Sequence, residues 1–211
     1  MNSCLQDTKT KILREPVFLY LENVLEKDLF TNLREWLDEI KYKNGYSIAG
    51  KQIPRQQIWY QENNKYFCEN WKYRYDRWQS EEYTDFLKNI QDKIQEKVYS
   101  AIEKYPGIQK PNINSCLINK YRTGRDSIPP HRDCLDSFGE FPTIANFSIG
   151  DEREIMFRNN KTKETTSYLL KENSLFIMAG TSQTDYTHEI LKTDSEKIRY
   201  SMTFREYLMD K

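Results

Sequence analysis

The sequence is poor in the residue types that most often carry chemistry. Its 211 residues include only two histidines and four cysteines, and no two cysteines form a Cys-x-x-Cys pair. It contains neither a signal peptide nor a long apolar run, and its formal net charge is zero. These absences argue against a membrane protein and against indiscriminate coating of nucleic acid. They predict a soluble protein of a reducing intracellular compartment, either the cytoplasm or the nucleus. We also expect the protein to be a monomer.

The two histidines carry the clearest chemical signal. His131 opens the triplet His131-Arg132-Asp133, and His188 lies 55 residues beyond the aspartate. Two imidazoles and one carboxylate form the facial triad that binds Fe(II) and leaves coordination positions open for a cosubstrate and O2. Taken alone, His-x-Asp is a weak signal, because aspartate is a common residue. The alternative is a non-enzymatic β-sandwich binding module in which both histidines are structural or surface residues.

Two segments downstream carry polar side chains that could bind an acidic ligand beside such a metal. Residues 199–205 alternate between apolar and polar, which predicts a half-buried strand. The polar face of that strand carries Arg199, Ser201, Thr203 and Arg205. Because arginine binds carboxylates through paired hydrogen bonds, the two arginines could hold a small dianion. The same alternation over 113–121 places Asn119 and Tyr121 on one face. The alternatives are a solvated strand face for the arginines and hydrogen bonds to neighbouring backbone for Asn119 and Tyr121.

The hydrophobic pattern predicts an α+β fold. Apolar residues recur at helical spacing from Leu29 to Ile40, after a strand-like segment at 17–24. A second helix is expected to start at Ser80 and to end at Pro106-Gly107. From residue 113 onward, short apolar or alternating runs separated by glycines and prolines indicate a sandwich or jelly roll.

Four blocks of this sequence resemble the AlkB family of Fe(II)/2-oxoglutarate dioxygenases in order and spacing. The blocks are Cys116-Leu117-Ile118-Asn119-Lys120-Tyr121, His131-Arg132-Asp133, His188 and Arg199-Tyr200-Ser201-Met202-Thr203-Phe204-Arg205. Upstream, Pro54-Arg55 followed by Trp59-Tyr60 is similar to the start of the substrate lid in relatives that repair DNA or RNA. The resemblance implies one domain over residues 1–211. N-terminal helices and a nucleotide-recognition lid would occupy 16–110, and a catalytic double-stranded β-helix (jelly roll) would occupy 111–208.

The resemblance also implies a role for individual residues. The iron ligands, and so the catalytic centre, would be His131, Asp133 and His188. Arg199 resembles the partner of the distal carboxylate of 2-oxoglutarate, assisted by Tyr121 and Ser201. Asn119 and Arg205 would lie toward the end of 2-oxoglutarate that chelates iron. The implied cofactors are Fe(II) and 2-oxoglutarate, with ascorbate as supporting reductant.

The implied reaction is oxidative demethylation of N-alkylated bases in DNA or RNA, of the N1-methyladenine and N3-methylcytosine type. It consumes O2 and releases formaldehyde, succinate and CO2. Between residues 41 and 78, eight basic residues stand against three acidic ones, and ten aromatic residues are interleaved. Cations that neutralise phosphates and rings that stack on bases are typical of nucleic-acid surfaces. The small residues of the predicted hairpin tip at 46–51 favour single-stranded DNA or RNA. A lid over a small molecule or a protein is the alternative for this segment.

The expected substrate contacts come from the lid and from the residues that follow the iron aspartate. They are Arg55, Tyr60, Lys72, Tyr73, Arg74, Tyr75, Leu135 and Asp136. Relatives that repair N1-methyladenine and N3-methylcytosine tend to carry an acid two residues after the iron aspartate, where this chain has Leu135. Asp136 could replace that acid if the loop shifts by one residue. If it does not, an N6-methyladenine RNA demethylase becomes more plausible. An oxygenase that hydroxylates a protein or a small molecule stays open as well.

Overall fold

A computed structural model describes residues 12–46, 51–62 and 79–208. Within these ranges the chain forms eleven strands and four helices. The strands are β1 (Pro16–Leu21), β2 (Lys43–Tyr46), β3 (Gln52–Gln61), β4 (Ser115–Tyr121), β5 (Ile128–His131), β6 (Ile144–Gly150), β7 (Arg153–Asn159), β8 (Thr165–Leu170), β9 (Ser174–Gly180), β10 (Tyr186–Ile190) and β11 (Arg199–Arg205). The helices are α1 (Lys27–Glu39), α2 (Asp85–Ile102), α3 (Leu135–Phe138) and α4 (Ser182–Asp185).

The strands form two antiparallel sheets. The larger sheet has seven strands in the order β1-β9-β6-β11-β4-β3-β2, and the smaller has four in the order β5-β10-β7-β8. One apolar cluster draws side chains from both sheets, among them Tyr121, Phe157, Phe176 and Ile190. This arrangement is a jelly roll, which confirms the predicted fold class. Strands β1 to β3, from the N-terminal part of the chain, extend the larger sheet at both of its edges.

Helices α1 and α2 share an apolar cluster with the larger sheet. Helix α1 buries Leu33 and Leu37, because apolar residues four positions apart lie on the same face of a helix. Helix α2 buries a longer stripe made up of Leu87, Ile90, Ile94, Val98 and Ile102. Both stripes join side chains of the central strands, such as Phe147 and Met202. None of the described helices is long and apolar enough to cross a membrane.

The second helix starts later than the sequence pattern predicts. Helix α2 begins at Asp85 rather than at Ser80. The residues before it are held in an extended conformation, because the backbone N–H of Glu81 donates a hydrogen bond to the carbonyl of Trp59 in β3 (2.7 Å). Thr84 then caps the helix, since its hydroxyl accepts the backbone N–H three residues further on (3.1 Å).

Strand β11 is buried on both faces, whereas the alternating pattern predicts a half-buried strand. All seven of its residues are buried, although β11 lies between β6 and β4 and so could have had one solvated face. Its apolar face, with Met202 and Phe204, packs in the cluster shared with the helices. Its polar face therefore projects toward the interior of the jelly roll and is not solvated.

Two of the prolines that the sequence pattern places between strands lie inside a strand instead. Pro129 and Pro130 belong to β5. This strand is at an edge of the smaller sheet, where the lost backbone N–H of proline need not pair with a neighbour. On its other side β5 pairs with β10, in a register that sets His131 opposite His188.

Candidate metal centre

The three predicted metal ligands converge at one end of the smaller sheet. His131 is the last residue of β5, His188 lies in β10, and Asp133 follows β5 by two residues. One potential ligand atom from each side chain lies within 4.8 Å of the others. The two imidazole ring centroids are 4.3 Å apart. Among the residues that the structure describes, no other group of three His, Cys, Asp or Glu side chains has this spacing.

Neighbouring groups orient two of the three side chains, His131 and Asp133. The Nδ1 atom of His131 lies 3.0 Å from the carbonyl oxygen of Pro129, and a proton on Nδ1 would leave Nε2 free for a metal. Asp133 accepts a 2.6 Å hydrogen bond on Oδ2 from Nε of Arg205, and both side chains of this ion pair are buried. Within the described residues, Nδ1 of His188 has no hydrogen-bond partner.

The local electrostatics keep all three groups in the protonation state that a metal requires. Burial, together with the neighbouring His131, lowers the pKa of His188 to about 3. Burial also lowers the pKa of His131. Burial opposes ionisation of Asp133, but Arg205 and His188 outweigh it and hold its pKa below the usual value. At neutral pH the site therefore offers two neutral imidazoles and one carboxylate, a donor set that suits Fe(II).

A cavity of about 290 Å³ opens beside the three side chains. Of the residues predicted to bind a ligand or a substrate, those that line it are Arg55, Asn119, Tyr121, Ser201 and Arg205. The rest of its wall is largely apolar and includes Ile128, Ile155, Met178 and Ile190. A pocket with an apolar wall and a few convergent polar groups is typical of a small-molecule site.

Arg199 lies behind Tyr121 rather than in the cavity wall itself. Its guanidinium carbon is 5.0 Å from the centroid of the Tyr121 ring, and its Nη2 donates to the hydroxyl of Ser148 (2.9 Å). Burial lowers the pKa of Arg199, against the opposing influence of Tyr121. Nε and Nη1 of Arg199 and the hydroxyl of Tyr121 are buried without a hydrogen-bond partner among the described residues. Because unpartnered buried donors are costly, these atoms suit an anionic ligand such as a carboxylate.

Sequence reasoning missed several polar residues of the cavity wall, among them Asn146 and Gln57. Asn146 donates from Nδ2 to the hydroxyls of Ser201 (2.8 Å) and Thr203 (3.0 Å), and so fixes the polar face of β11. Gln57 also lines the cavity, and its Oε1 is buried without a partner among the described residues. The position of Gln57 at the cavity could have been predicted from the sequence, because strand alternation puts it on the same face of β3 as Arg55.

Three residues predicted to contact the substrate lie elsewhere. Tyr60 does not line the cavity: it packs in the cluster with helices α1 and α2, because strand alternation turns it to the opposite face of β3 from Arg55. Leu135 and Asp136 form the start of α3, outside the cavity wall, and Asp136 is exposed to solvent. The four remaining contacts, Lys72, Tyr73, Arg74 and Tyr75, lie outside the described residues, as does most of the predicted hairpin tip.

Comparison with known proteins identifies the family. Residues 18–205 match the family model described as the 2OG-Fe(II) oxygenase superfamily. Because the match covers most of the chain, the chain belongs to this superfamily. The family description names Fe(II) and 2-oxoglutarate, which confirms the two predicted cofactors.

Individual relatives confirm the resemblance to the AlkB family. A DNA oxidative demethylase ALKBH2 of Arabidopsis thaliana is 28% identical over 125 residues, which cover 48% of this chain and 40% of that protein. The human alpha-ketoglutarate-dependent dioxygenase alkB homolog 3 is 33% identical over 108 residues, which cover 46% of this chain and 38% of that protein. The matched region thus spans about two fifths of these relatives.

Solved structures share the fold. The structure of OsALKBH1 superposes with a TM-score of 0.65 at 19% identity and covers 91% of this chain and 99% of that chain. A prolyl hydroxylase from Trichoplax adhaerens, in complex with a hypoxia inducible factor peptide, superposes with a TM-score of 0.55 at 14% identity. It covers 90% of this chain and 83% of that chain.

Proposed function

We propose that this protein is an Fe(II)/2-oxoglutarate-dependent dioxygenase that removes alkyl groups oxidatively from bases of DNA or RNA. The observation that carries the proposal is the convergence of His131, Asp133 and His188 beside a cavity of about 290 Å³. Buried donors without partners lie beyond the wall of this cavity. Membership of the 2OG-Fe(II) oxygenase superfamily supports the same chemistry.

The cofactors would be held by two groups of side chains. His131, Asp133 and His188 would bind Fe(II), and Arg199 with the Tyr121 hydroxyl would bind the distal carboxylate of 2-oxoglutarate. The residues toward the metal-chelating end would be Asn119, Ser201 and Arg205. When bound, Fe(II) with 2-oxoglutarate and O2 supplies the oxidising power to hydroxylate a substrate C–H bond, with succinate and CO2 as coproducts.

The protein's own part is to orient these groups and exclude water. Arg205 fixes the Asp133 carboxylate through a 2.6 Å hydrogen bond to its Oδ2 atom. The apolar wall around Ile155 and Met178 keeps water away from the reacting centre. A hydroxylated N-methyl group then releases formaldehyde without a catalytic acid or base. This agrees with a chain whose two histidines would both bind metal.

Nucleic acid is the substrate class that several observations favour. The relative from Arabidopsis thaliana is named a DNA oxidative demethylase. Arg55 lies at the cavity, and its Nε donates to Asn119 Oδ1 (3.0 Å). The basic and aromatic composition of residues 41–78 suits phosphate contacts and base stacking. A single-stranded DNA or RNA would avoid the cost of flipping a base out of a duplex, which is a few kcal/mol.

The base preference follows from the residues that can face an exocyclic amine. We propose the N1-methyladenine and N3-methylcytosine type, with N6-methyladenine in RNA as the alternative. Leu135 and Asp136 lie outside the cavity wall. Neither residue therefore replaces the acid that relatives of the first type carry after the iron aspartate. The side-chain amide oxygen of Gln57, which lies in the cavity wall, could instead accept a hydrogen bond from the exocyclic amine of the base.

The test is mass spectrometry of nucleosides from a panel of methylated oligonucleotides, incubated with the protein, Fe(II), 2-oxoglutarate and ascorbate. Conversion of one methylated nucleoside to its unmethylated form is expected, and the His131→Ala variant should leave the whole panel intact. Turnover of 2-oxoglutarate with no change in any oligonucleotide would favour hydroxylation of a protein or a small molecule. Absence of any 2-oxoglutarate turnover would contradict the dioxygenase proposal itself.

A further inference from the structure

A second buried arginine lies beside Tyr121, and the predicted site does not account for it. Arg153, the first residue of β7, is 1% exposed. Its guanidinium carbon lies 5.6 Å from the centroid of the Tyr121 ring. Its Nη2 donates to the backbone carbonyls of Asp126 (2.9 Å) and Leu191. Its Nε is buried without a partner among the described residues.

The two hydrogen bonds fix the position of this guanidinium. Asp126 precedes β5 and Leu191 follows β10, so Arg153 connects its own strand to the segments flanking the two histidine-bearing strands. Backbone carbonyls of this kind move little compared with long side chains. The guanidinium of Arg153 is therefore a fixed positive group against the Tyr121 ring, where a cation–π contact is favourable.

Arg153 and Arg199 together place two positive charges at this end of the fold, and the nearby carboxylates of Asp126 and Asp151 attract them only through space. The guanidinium of Arg199 lies 5.0 Å from the same Tyr121 ring, and its side chain is also 1% exposed. Among the described residues, neither arginine donates a hydrogen bond to a carboxylate side chain. The carboxylate of Asp126 is ion-paired instead with Arg122 (2.8 Å). Buried charge without a hydrogen-bonded counter-ion is costly, so this pair of cations suits a ligand that brings an anionic group to Tyr121.

We propose that Arg153 is a positioning residue for the distal carboxylate of 2-oxoglutarate. It holds the Tyr121 ring through a cation–π contact and adds a second positive charge to that of Arg199. This inference rests on the proposed function. It concerns one end of the cosubstrate. The affinity for a keto acid that lacks the distal carboxylate should therefore not depend on Arg153.

The experiment compares two keto acids that differ at that end. The Fe(II)-loaded protein is titrated without O2 with 2-oxoglutarate and with 2-oxovalerate, the monocarboxylate of equal chain length, and binding is followed by charge-transfer absorption. In Arg153→Gln we expect the Kd for 2-oxoglutarate to rise about tenfold and that for 2-oxovalerate to stay unchanged. The matched control is Arg158→Gln, which removes the same charge from an exposed position of the same strand. It should leave both values unchanged.

Each outcome bears on the proposal. Equal weakening of both keto acids would indicate a purely structural role for Arg153, and an unchanged affinity for 2-oxoglutarate would also contradict the proposal. If Arg153→Gln does not fold, Arg153→Lys keeps the charge but not the planar fork. Compared with the unmodified protein, this variant should bind 2-oxoglutarate more weakly and 2-oxovalerate with unchanged affinity. An equal change in the Kd for the two keto acids would overturn the proposal. If the unmodified protein develops no absorption with 2-oxoglutarate, the proposed function itself fails.

Discussion

His131 and His188 are far apart in the chain and directly opposite each other in the smaller sheet. Their spacing is set by the antiparallel register of β5 and β10, and Asp133 reaches them from the turn that follows β5. The residue types and their order were readable from the sequence. The contacts that orient them were not, because Arg205 and Gln183 approach Asp133 from distant segments.

Arg199 is expected to act on cosubstrate binding rather than on metal binding. Its buried Nε and Nη1 lack partners in the described part of the chain, so Arg199→Ala removes the donors that are proposed to bind the distal carboxylate. The KM for 2-oxoglutarate should rise by at least about tenfold, while iron binding is retained. Steady-state turnover over a range of 2-oxoglutarate concentrations measures the effect. Equal rates for the variant and the unmodified protein at limiting 2-oxoglutarate would contradict the assignment.

The neutral state of His188 has a consequence for the stability of the metal-free protein. Its pKa falls from an ordinary 6.5 to about 3, chiefly through burial, so the unfolded chain binds more protons between these values. Stability should therefore decrease as pH falls below about 6.5, by up to roughly 1.4 kcal/mol per pH unit from this group. Urea denaturation of the metal-free protein at pH 7 and pH 5 measures the decrease. His188→Asn should show a smaller decrease, and an equal decrease in both proteins would contradict this origin.

At the scale of elements, the pattern of apolar residues predicted most helices and strands. The exceptions share a physical cause, which is contact with distant segments. Helix α2 starts late because Glu81 is hydrogen-bonded to β3, and the Pro129-Pro130 pair lies in a strand because β5 is an edge. Strand β11 is buried on both faces because helices α1 and α2 cover its apolar face and the interior of the jelly roll encloses its polar face. Local sequence does not encode any of these long-range neighbours.

The N-terminal cap of α2 gives a prediction for one element alone. The Thr84 hydroxyl accepts a backbone N–H at 3.1 Å, so Thr84→Ala should lower the free energy of unfolding by about 1 kcal/mol. Turnover should be unaffected, since Thr84 does not line the cavity. The matched control is Thr31→Ala, an exposed interior position of α1, which should change stability by less than about 0.5 kcal/mol. Urea denaturation of both variants is the measurement, and equal effects would argue against the cap.

At the scale of the whole molecule, a net charge of zero conceals an uneven distribution. Basic residues concentrate between 41 and 78, the segment that also holds ten of the aromatic residues. This composition and the family resemblance could be read from the sequence. The position of Tyr60 in the core could not be predicted, because alternate residues of β3 face the helices and the cavity.

Binding of single-stranded DNA or RNA should depend strongly on this basic segment. Lys72→Ala and Arg74→Ala should each raise the Kd for a methylated oligonucleotide and reduce its dependence on salt, because each would remove a proposed phosphate contact. Turnover of 2-oxoglutarate without substrate should not change. Lys161→Ala, an exposed lysine between β7 and β8, serves as the control. Fluorescence anisotropy at several salt concentrations measures the effect, and an unchanged Kd would remove both residues from the binding surface.

The most direct test of the metal centre is an anaerobic titration of the metal-free protein with Fe(II) in the presence of 2-oxoglutarate. We expect a charge-transfer absorption that saturates at about one iron per chain. It should be lost in His131→Ala, Asp133→Ala and His188→Ala, and kept in Asp136→Ala, which removes an exposed carboxylate three residues from Asp133. Absence of the absorption in the unmodified protein, or its persistence in Asp133→Ala, would contradict the proposed metal centre.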